Sequence, residues 1–200
     1  MNNRILMAIL PVLACFAFLA EAQAASPSPE GCSPNFTTAQ GCNALSLLTT
    51  GSGNSGVGWY ALFSNSSGNF NTAVGGGALT LNNGDSNTAV GAAALLLNTS
   101  GTENTAVGTD AMVFNDTGSQ NSAFGTFALY SNTTGGENTT SGYEALFNNT
   151  TGNENTAIGD SALFSNTGGG DNTKAVTTGS RPDHALAFRH GCSRGLRDVW

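Results

Sequence analysis

Apolar and polar residues recur in a fixed order along blocks of 17 residues, and each block begins where the previous one ends. The consensus reads Asn-Thr-Ala-Val-Gly-x-x-Ala-Leu-x-x-Asn-Thr-Thr-Gly-x-x, and we number its positions from one to seventeen. A short, regular period of this kind is typical of a repeat array in which each block is one structural unit. Eight blocks begin at Thr37, Asn54, Asn71 (a block of 16 residues), Asn87, Asn104, Asn121, Asn138 and Asn155.

Each block contains two short segments with strand character and two with turn character. The first strand-like segment is Thr-Ala-Val at positions two to four, and the second begins at the Ala-Leu pair of positions eight and nine. Glycine at position five can take positive φ without steric cost, and the Asn-Thr-Thr-Gly stretch can bond its own backbone, so both make corners. The corner glycines are Gly75, Gly91, Gly108, Gly125, Gly142 and Gly159. The pattern predicts an all-β fold, a parallel β-solenoid of about eight coils. A one-turn helix at the Ala-Leu pair is the alternative, because the turn-free stretch is too short for a longer helix.

Stacking of equivalent positions at about 4.8 Å would make a rod of roughly 40 Å and would place like residues in columns. We predict that positions four and nine form the core, with Ala at position eight where two chain segments approach closely. Asn at positions one and twelve is expected to form amide ladders. The predicted core residues are Val74, Val90, Val107 and Ile158 at position four and Leu79, Leu95, Met112, Leu129, Leu146 and Leu163 at position nine.

Position ten carries large apolar residues, among them Phe63, Tyr130 and Phe147. On the outside of a single solenoid they would form an exposed apolar stripe, which usually marks an interface. The pattern therefore predicts that copies of the chain associate in parallel about a common axis, as a homotrimer or another small oligomer.

Charge and reactive residues exclude several functions for the array. The six Lys and Arg residues all lie outside the eight blocks, whereas acidic residues are spread through them. Nucleic acid is not expected as a partner, because neutralising phosphates needs Lys and Arg, and anionic membranes are disfavoured for the same reason. The array has no His and only Cys42 at its edge, so a general base and an activated nucleophile are missing. We therefore expect neither an enzyme nor a cofactor or metal site.

The N-terminal residues indicate export. Arg4, the apolar stretch 5–20 and Ala22-Gln23-Ala24 resemble a signal peptide of residues 1–24, which would leave no membrane span in the mature chain. Lipoprotein processing at Cys15 is the alternative. Residues 25–36 form a leader or N-terminal cap. A disulfide between Cys32 and Cys42 is possible after export, and two unpaired thiols are the alternative.

The Asn-Thr-Ala-Val-Gly and Asn-Thr-Ala-Ile-Gly blocks resemble the head repeats of trimeric autotransporter adhesins, the YadA-like heads, over about residues 37–176. Similar repeats occur in phage and bacterial fibre proteins. The resemblance implies a left-handed β-roll of three chains, displayed at the outer membrane of a Gram-negative bacterium and binding host or environmental surfaces.

This chain departs from that family in its period of 17 and in lacking a recognisable stalk or anchor after the array. Residues 177–200 form an irregular basic tail that is either a docking segment or a shifted reading of a longer gene.

Two functions from different classes follow from these patterns. The first is a cell-surface or secreted adhesin-like rod, and a purely structural fibre segment is its simpler form. The second is an ice-binding or other lattice-binding solenoid, which the Thr column at position two suggests, although a single column is narrow for a lattice match.

Overall fold

The computed structural model describes residues 35–176 and 188–189. The described chain is all-β, with nine parallel strands stacked in chain order as a β-solenoid of about eight turns. Residues 35–176 contain no helix, and hence none long and apolar enough to cross a membrane. The predicted signal peptide, Cys32 and most of the predicted tail lie outside the described residues.

One three-residue strand per coil forms the sheet, and each strand pairs with its equivalent in the next coil. The pairing register is that of the sequence repeat, so Thr72, Thr88 and Thr105 are direct neighbours. A tenth, antiparallel strand pairs with the last parallel one. The strands are β1 Thr38–Gln40, β2 Ser55–Val57, β3 Thr72–Val74, β4 Thr88–Val90, β5 Thr105–Val107, β6 Ser122–Phe124, β7 Thr139–Ser141, β8 Thr156–Ile158, β9 Asn172–Ala175 and β10 Phe188–Arg189.

The second predicted strand, at the Ala-Leu pair, is not formed. Two consecutive tight turns replace it, closed in the fifth coil by hydrogen bonds from the Ala111 N–H to the Gly108 carbonyl (3.4 Å) and from the Asn115 N–H to the Met112 carbonyl (3.2 Å). Adjacent coils are still joined here, since the Met112 N–H donates to the Ala128 carbonyl at 3.0 Å. The turns satisfy the backbone both within and between coils, so a second sheet is not needed.

The turns depend on non-glycine residues in the left-handed backbone region. The residue at position nine has φ between 51° and 57° in every coil, for example 54° at Met112 and 53° at Leu129. This conformation is uncommon for large side chains. It directs the Leu or Met side chain into the coil, where burial offsets the backbone cost. The hydrophobic pattern gives no sign of it, because Ala-Leu pairs are ordinary in strands and helices.

Half of the core prediction is confirmed and half is wrong. At position nine, Leu79, Leu95, Met112, Leu129 and Leu146 are fully buried and Leu163 is partly buried. At position four, however, Val74, Val90 and Ile158 are exposed and Val107 is only half-buried. The inward position of each strand is position three, where the buried residues are Ala73, Ala89, Ala106, Ala123 and Ala157.

The physical reason is the narrow interior of the coil. At Gly56, which occupies position three of its coil, an added Cβ would lie 3.3 Å from the Ala61 carbonyl oxygen and 3.4 Å from Leu45 Cγ. Alanine fills this space in most coils, and the largest side chain that it holds before Lys174 is that of Thr140, which is also fully buried. Because successive side chains of a strand point to opposite faces, Ala inside forces Val at position four outside.

The two predicted amide ladders are present, and both are completely buried except at their last members, Asn166 and Asn172. Along position twelve, the Asn115 amide donates to Oδ1 of Asn98 and is followed by Asn132 donating to Asn115, both at 2.7 Å. Along position one, the Asn121 amide donates to Oδ1 of Asn104 at 3.1 Å. In the second to seventh coils both amides also converge on the carbonyl of the glycine that follows position twelve, as at Gly118. Every buried polar side-chain atom of the described residues has a hydrogen-bond partner.

The predicted corner glycines occupy their corners, with φ from 110° at Gly159 to 146° at Gly142. A Cβ at Gly108 would lie 2.5 Å from the carbonyl oxygen of Gly125 in the next coil. Both the conformation and the close backbone approach therefore require glycine at position five.

The repeat changes at its C-terminal end. Lys174 pairs with Ala157 and so takes position three, which carries a small residue in most earlier coils. It lines a cleft of about 500 Å³ together with Glu144, Leu163 and Phe164. Inward-pointing charged residues are one of the features that proteins place near sheet edges.

Candidate functional site

The outward side chains of the strands form one continuous surface, which we call the sheet face. It consists of positions two and four of β2 to β8, since both point away from the buried Ala of position three. Position two contributes hydroxyl groups in every strand, and position four contributes mainly apolar groups. The members are Ser55, Thr72, Thr88, Thr105, Ser122, Thr139 and Thr156 at position two, and Val57, Val74, Val90, Val107, Phe124, Ser141 and Ile158 at position four.

The sheet face is half-buried along most of position two, is exposed along most of position four, and carries no ionisable side chain. At position four, the exposed fraction is 40% for Val74, 45% for Phe124 and 49% for Ile158. The chain as a whole has a formal net charge of −7. The sheet face therefore differs from the chain as a whole in having no charged side chain along its length. A face of this composition favours an uncharged ligand.

The geometry of the sheet face follows from the strand register. Equivalent side chains repeat along each column at about 4.8 Å, and the two columns lie roughly 7 Å apart, the separation of residues i and i+2 in a strand. Sheets normally twist, but side-chain ladders favour flat stacking. The two Asn columns are ladders of this kind. The hydroxyl and apolar groups therefore form a two-column grid.

A second surface, the aromatic face, is formed by positions six, seven, ten and eleven. The rings of Tyr130 and Phe147 stack at 5.0 Å with an interplanar angle of 10°, and Phe147 stacks on Phe164 at 5.4 Å and 13°. Phe127 packs edge-on against the Tyr130 ring at 5.7 Å. Trp59 contacts Tyr60 near the N-terminal end and is 63% exposed. The predicted position-ten stripe thus exists, but its rings half-bury one another.

Exposed carboxylates line one corner of the coil. Glu154 lies beside Asp171 and Glu137, and its hydrogen bond with Asp171, followed by the negative charges of Asp171 and Glu137, raises its pKa. On the aromatic face, a hydrogen bond with Glu144 and the charge of that carboxylate raise the pKa of Tyr143. Residues 35–176 contain no group of three His, Cys, Asp or Glu side chains placed to hold a metal ion.

Of the two cysteines in the predicted disulfide, only Cys42 lies among the described residues. Cys42 is exposed at position six of the first coil, and because Cys32 lies outside the described residues, their disulfide stays a prediction. Sequence reasoning recognised the hydroxyl column of the sheet face but placed the neighbouring Val column in the core. The signal that could have found it is the Ala or Gly that stands at position three in most blocks, which points to the tighter side of the strand.

Comparison of the chain with protein-family models, with curated proteins and with solved structures finds no match.

Proposed function

We propose that this chain is an exported, adhesin-like rod that binds host or environmental surfaces through the sheet face. The role is one of binding rather than catalysis, and the site of action is the cell surface or the medium. The fold supports the coarser part of this proposal, a rod-like repeat protein. The finer part rests on the sheet face together with the resemblance of the blocks to adhesin head repeats.

The observation that carries the proposal is that position four is apolar and uncovered over several coils. Val74, Val90 and Phe124 stand in one column and are between 37% and 45% exposed. Solvated apolar columns of this kind usually mark an interaction site. Neither the core nor the turns of the coil need them, because Ala and Leu fill the interior.

We further propose that copies of the chain associate through the aromatic face, as a homotrimer, and leave the sheet face open. Exposed apolar side chains at this face are those of Trp59, Leu81, Phe114 and Tyr143. Burial of such groups between copies would remove apolar area from water at a gain of about 25 cal/mol per Å².

Adsorption of the mature chain to solid layers tests the surface-binding role. The wild type is expected to bind methyl-terminated or hydroxyl-terminated layers, and Thr105→Lys combined with Val107→Lys is expected to weaken binding. Because the sheet face is uncharged, raising the salt concentration from 0.1 to 1 M, which shortens the screening length to about 3 Å, should not weaken it. Binding that is unchanged by the two lysines, or that is abolished by salt, would refute the assignment of this face.

Sedimentation of the mature chain tests the homotrimer. We expect a trimer for the wild type and a monomer for Phe114→Lys combined with Tyr143→Lys. A wild type that sediments as a monomer would remove the oligomer from the proposal and leave surface binding to be judged on its own experiment.

A further inference from the structure

We propose that the sheet face binds the ordered water lattice of ice. This inference rests on the proposed function in one respect, since it uses the same face as a binding surface. It adds the chemical class of the ligand, and it depends on a feature that is absent from the sequence pattern alone, the second outward column at position four.

The chemistry of the two columns suits an ordered layer of water. Each Thr hydroxyl at position two can donate one hydrogen bond and accept others, as a water molecule does. The methyl groups at position four cannot bond water, and water beside apolar groups loses orientational freedom. Rows of Thr72, Thr88 and Thr105 beside rows of Val74 and Val90 therefore anchor some water molecules and order their neighbours.

The hydroxyl group and the apolar group of the sheet face recur together along the rod, which suits a ligand that is itself periodic. The register places the same pair of groups in consecutive coils, with Thr88 beside Thr105 and Val90 beside Val107. Each group alone binds water weakly, but a rigid grid contacts a lattice at many points at once, and linked weak contacts add to a strong one. A ligand that is itself periodic gains from this grid, whereas a single small molecule would contact only one or two coils.

The two columns of the sheet face carry no charged side chain. No ionisable side chain occupies position two or four from β1 to β8. A charged group holds its own hydration shell and would compete with the lattice for water. The acidic residues lie instead at other positions, as with the exposed column of Glu137 and Glu154 at position seventeen.

Ice is favoured over a crystalline polysaccharide by the small number of rings on this face. Flat sugar surfaces are bound by exposed aromatic rings, and in β1 to β8 the only ring at positions two or four is Phe124. The other rings of the described chain are at other positions, with Tyr130, Phe147 and Phe164 stacked on the aromatic face.

Thermal hysteresis and partition into a growing ice shell test the inference on the mature full chain. We expect the wild type to show both, and Thr105→Lys combined with Val107→Lys to reduce the hysteresis by roughly tenfold, since a multi-site contact loses neighbouring points. The matched control is Thr117→Lys combined with Thr134→Lys, which adds the same charge at exposed position-fourteen residues. Circular dichroism establishes that both variants remain folded.

Each outcome decides the inference. A wild type without hysteresis and without enrichment in ice overturns it, and if the same protein still adsorbs to other surfaces through the sheet face, the proposed function stands. Equal losses in the two double variants would mean that net charge acts instead of the face, which also overturns it. A sheet-face variant that changes the sedimentation of the protein would assign this face to a second copy of the chain instead.

Discussion

The side-chain amide of Asn115 donates a 2.7 Å hydrogen bond to Oδ1 of Asn98, its equivalent one coil earlier. The same amide nitrogen donates to the Gly118 carbonyl at 2.8 Å, and Oδ1 of Asn115 accepts from Asn132 in the following coil. One buried side chain thus closes its own corner and joins three coils. The array gains rigidity from polar ladders of this kind as well as from its thin apolar core.

Replacing Asn115 by alanine should therefore be strongly destabilising. The change removes these bonds and leaves the buried Gly118 carbonyl and the amides of its neighbours with fewer partners, at a cost of about 1–3 kcal/mol for each unsatisfied group. We expect a total loss of about 3 kcal/mol in the free energy of unfolding, measured by urea denaturation. Thr117→Ala, two residues away at an exposed position, is the control and should change stability by less than about 0.5 kcal/mol. Similar losses for the two variants would contradict the role of the ladder.

Gly108→Ala should disrupt its corner, and Gly76→Ala should not. Gly108 has a φ of 140°, and an added Cβ would lie 2.5 Å from the Gly125 carbonyl oxygen, whereas nothing lies within 4 Å of a Cβ at Gly76. We expect a loss of about 3 kcal/mol or more for the first variant, because backbone strain and a steric clash add together. The second should be neutral or slightly stabilising through the unfolded state. Thermal unfolding of the two variants is the measurement, and equal midpoints would argue against the close approach of the corners.

Leu129→Ala should cost far more than Val90→Ala. Leu129 is completely buried, while Val90 is 37% exposed. Truncating a buried leucine costs about 2–5 kcal/mol, and because alanine keeps the Cβ, most of the strain of the left-handed backbone is common to both side chains. The exposed valine should cost less than about 1 kcal/mol. Urea denaturation gives the free energy of unfolding of both variants. A larger loss for Val90→Ala than for Leu129→Ala would mean that position four belongs to the core.

Stability should fall as the pH rises through the titration of Glu154. Its pKa is raised above the ordinary 4.5 by the hydrogen bond with Asp171 and by the charges of Asp171 and Glu137. The folded state therefore binds this proton more tightly than the unfolded state. The contribution is fully present below 4.5 and is lost as the pH rises through the raised value.

Glu154→Gln should raise the melting midpoint at neutral pH slightly and flatten its decline above pH 4.5. Glu103→Gln is the matched control, because its neighbour in the next coil is Gln120, an amide instead of a carboxylate. Melting curves recorded at a series of pH values from below 4.5 upward provide the measurement. If the two variants have the same pH profile, the stacked carboxylates do not repel as described.

The features that the sequence could predict are those that repeat. The sequence predicted the corner glycines, the two Asn ladders and the buried Leu column, because a stacked fold places each residue above its own equivalent. Hydrophobicity did not indicate which strand residues point into the coil and which point to solvent. Val74 is more apolar than Ala73, yet Ala73 is inside and Val74 is exposed.

The sequence by itself determined the period, the class of fold and the columns, since a 17-residue repeat with glycine and asparagine at fixed positions has few ways to stack. Only the tertiary structure decided which strand residues face outward and that the Ala-Leu pair makes a turn. The reason is the width of the coil. Once Leu95 and Ala94 fill it, a small residue such as Ala89 fits opposite, and the alternation of the strand then turns Val90 and Thr88 together toward solvent.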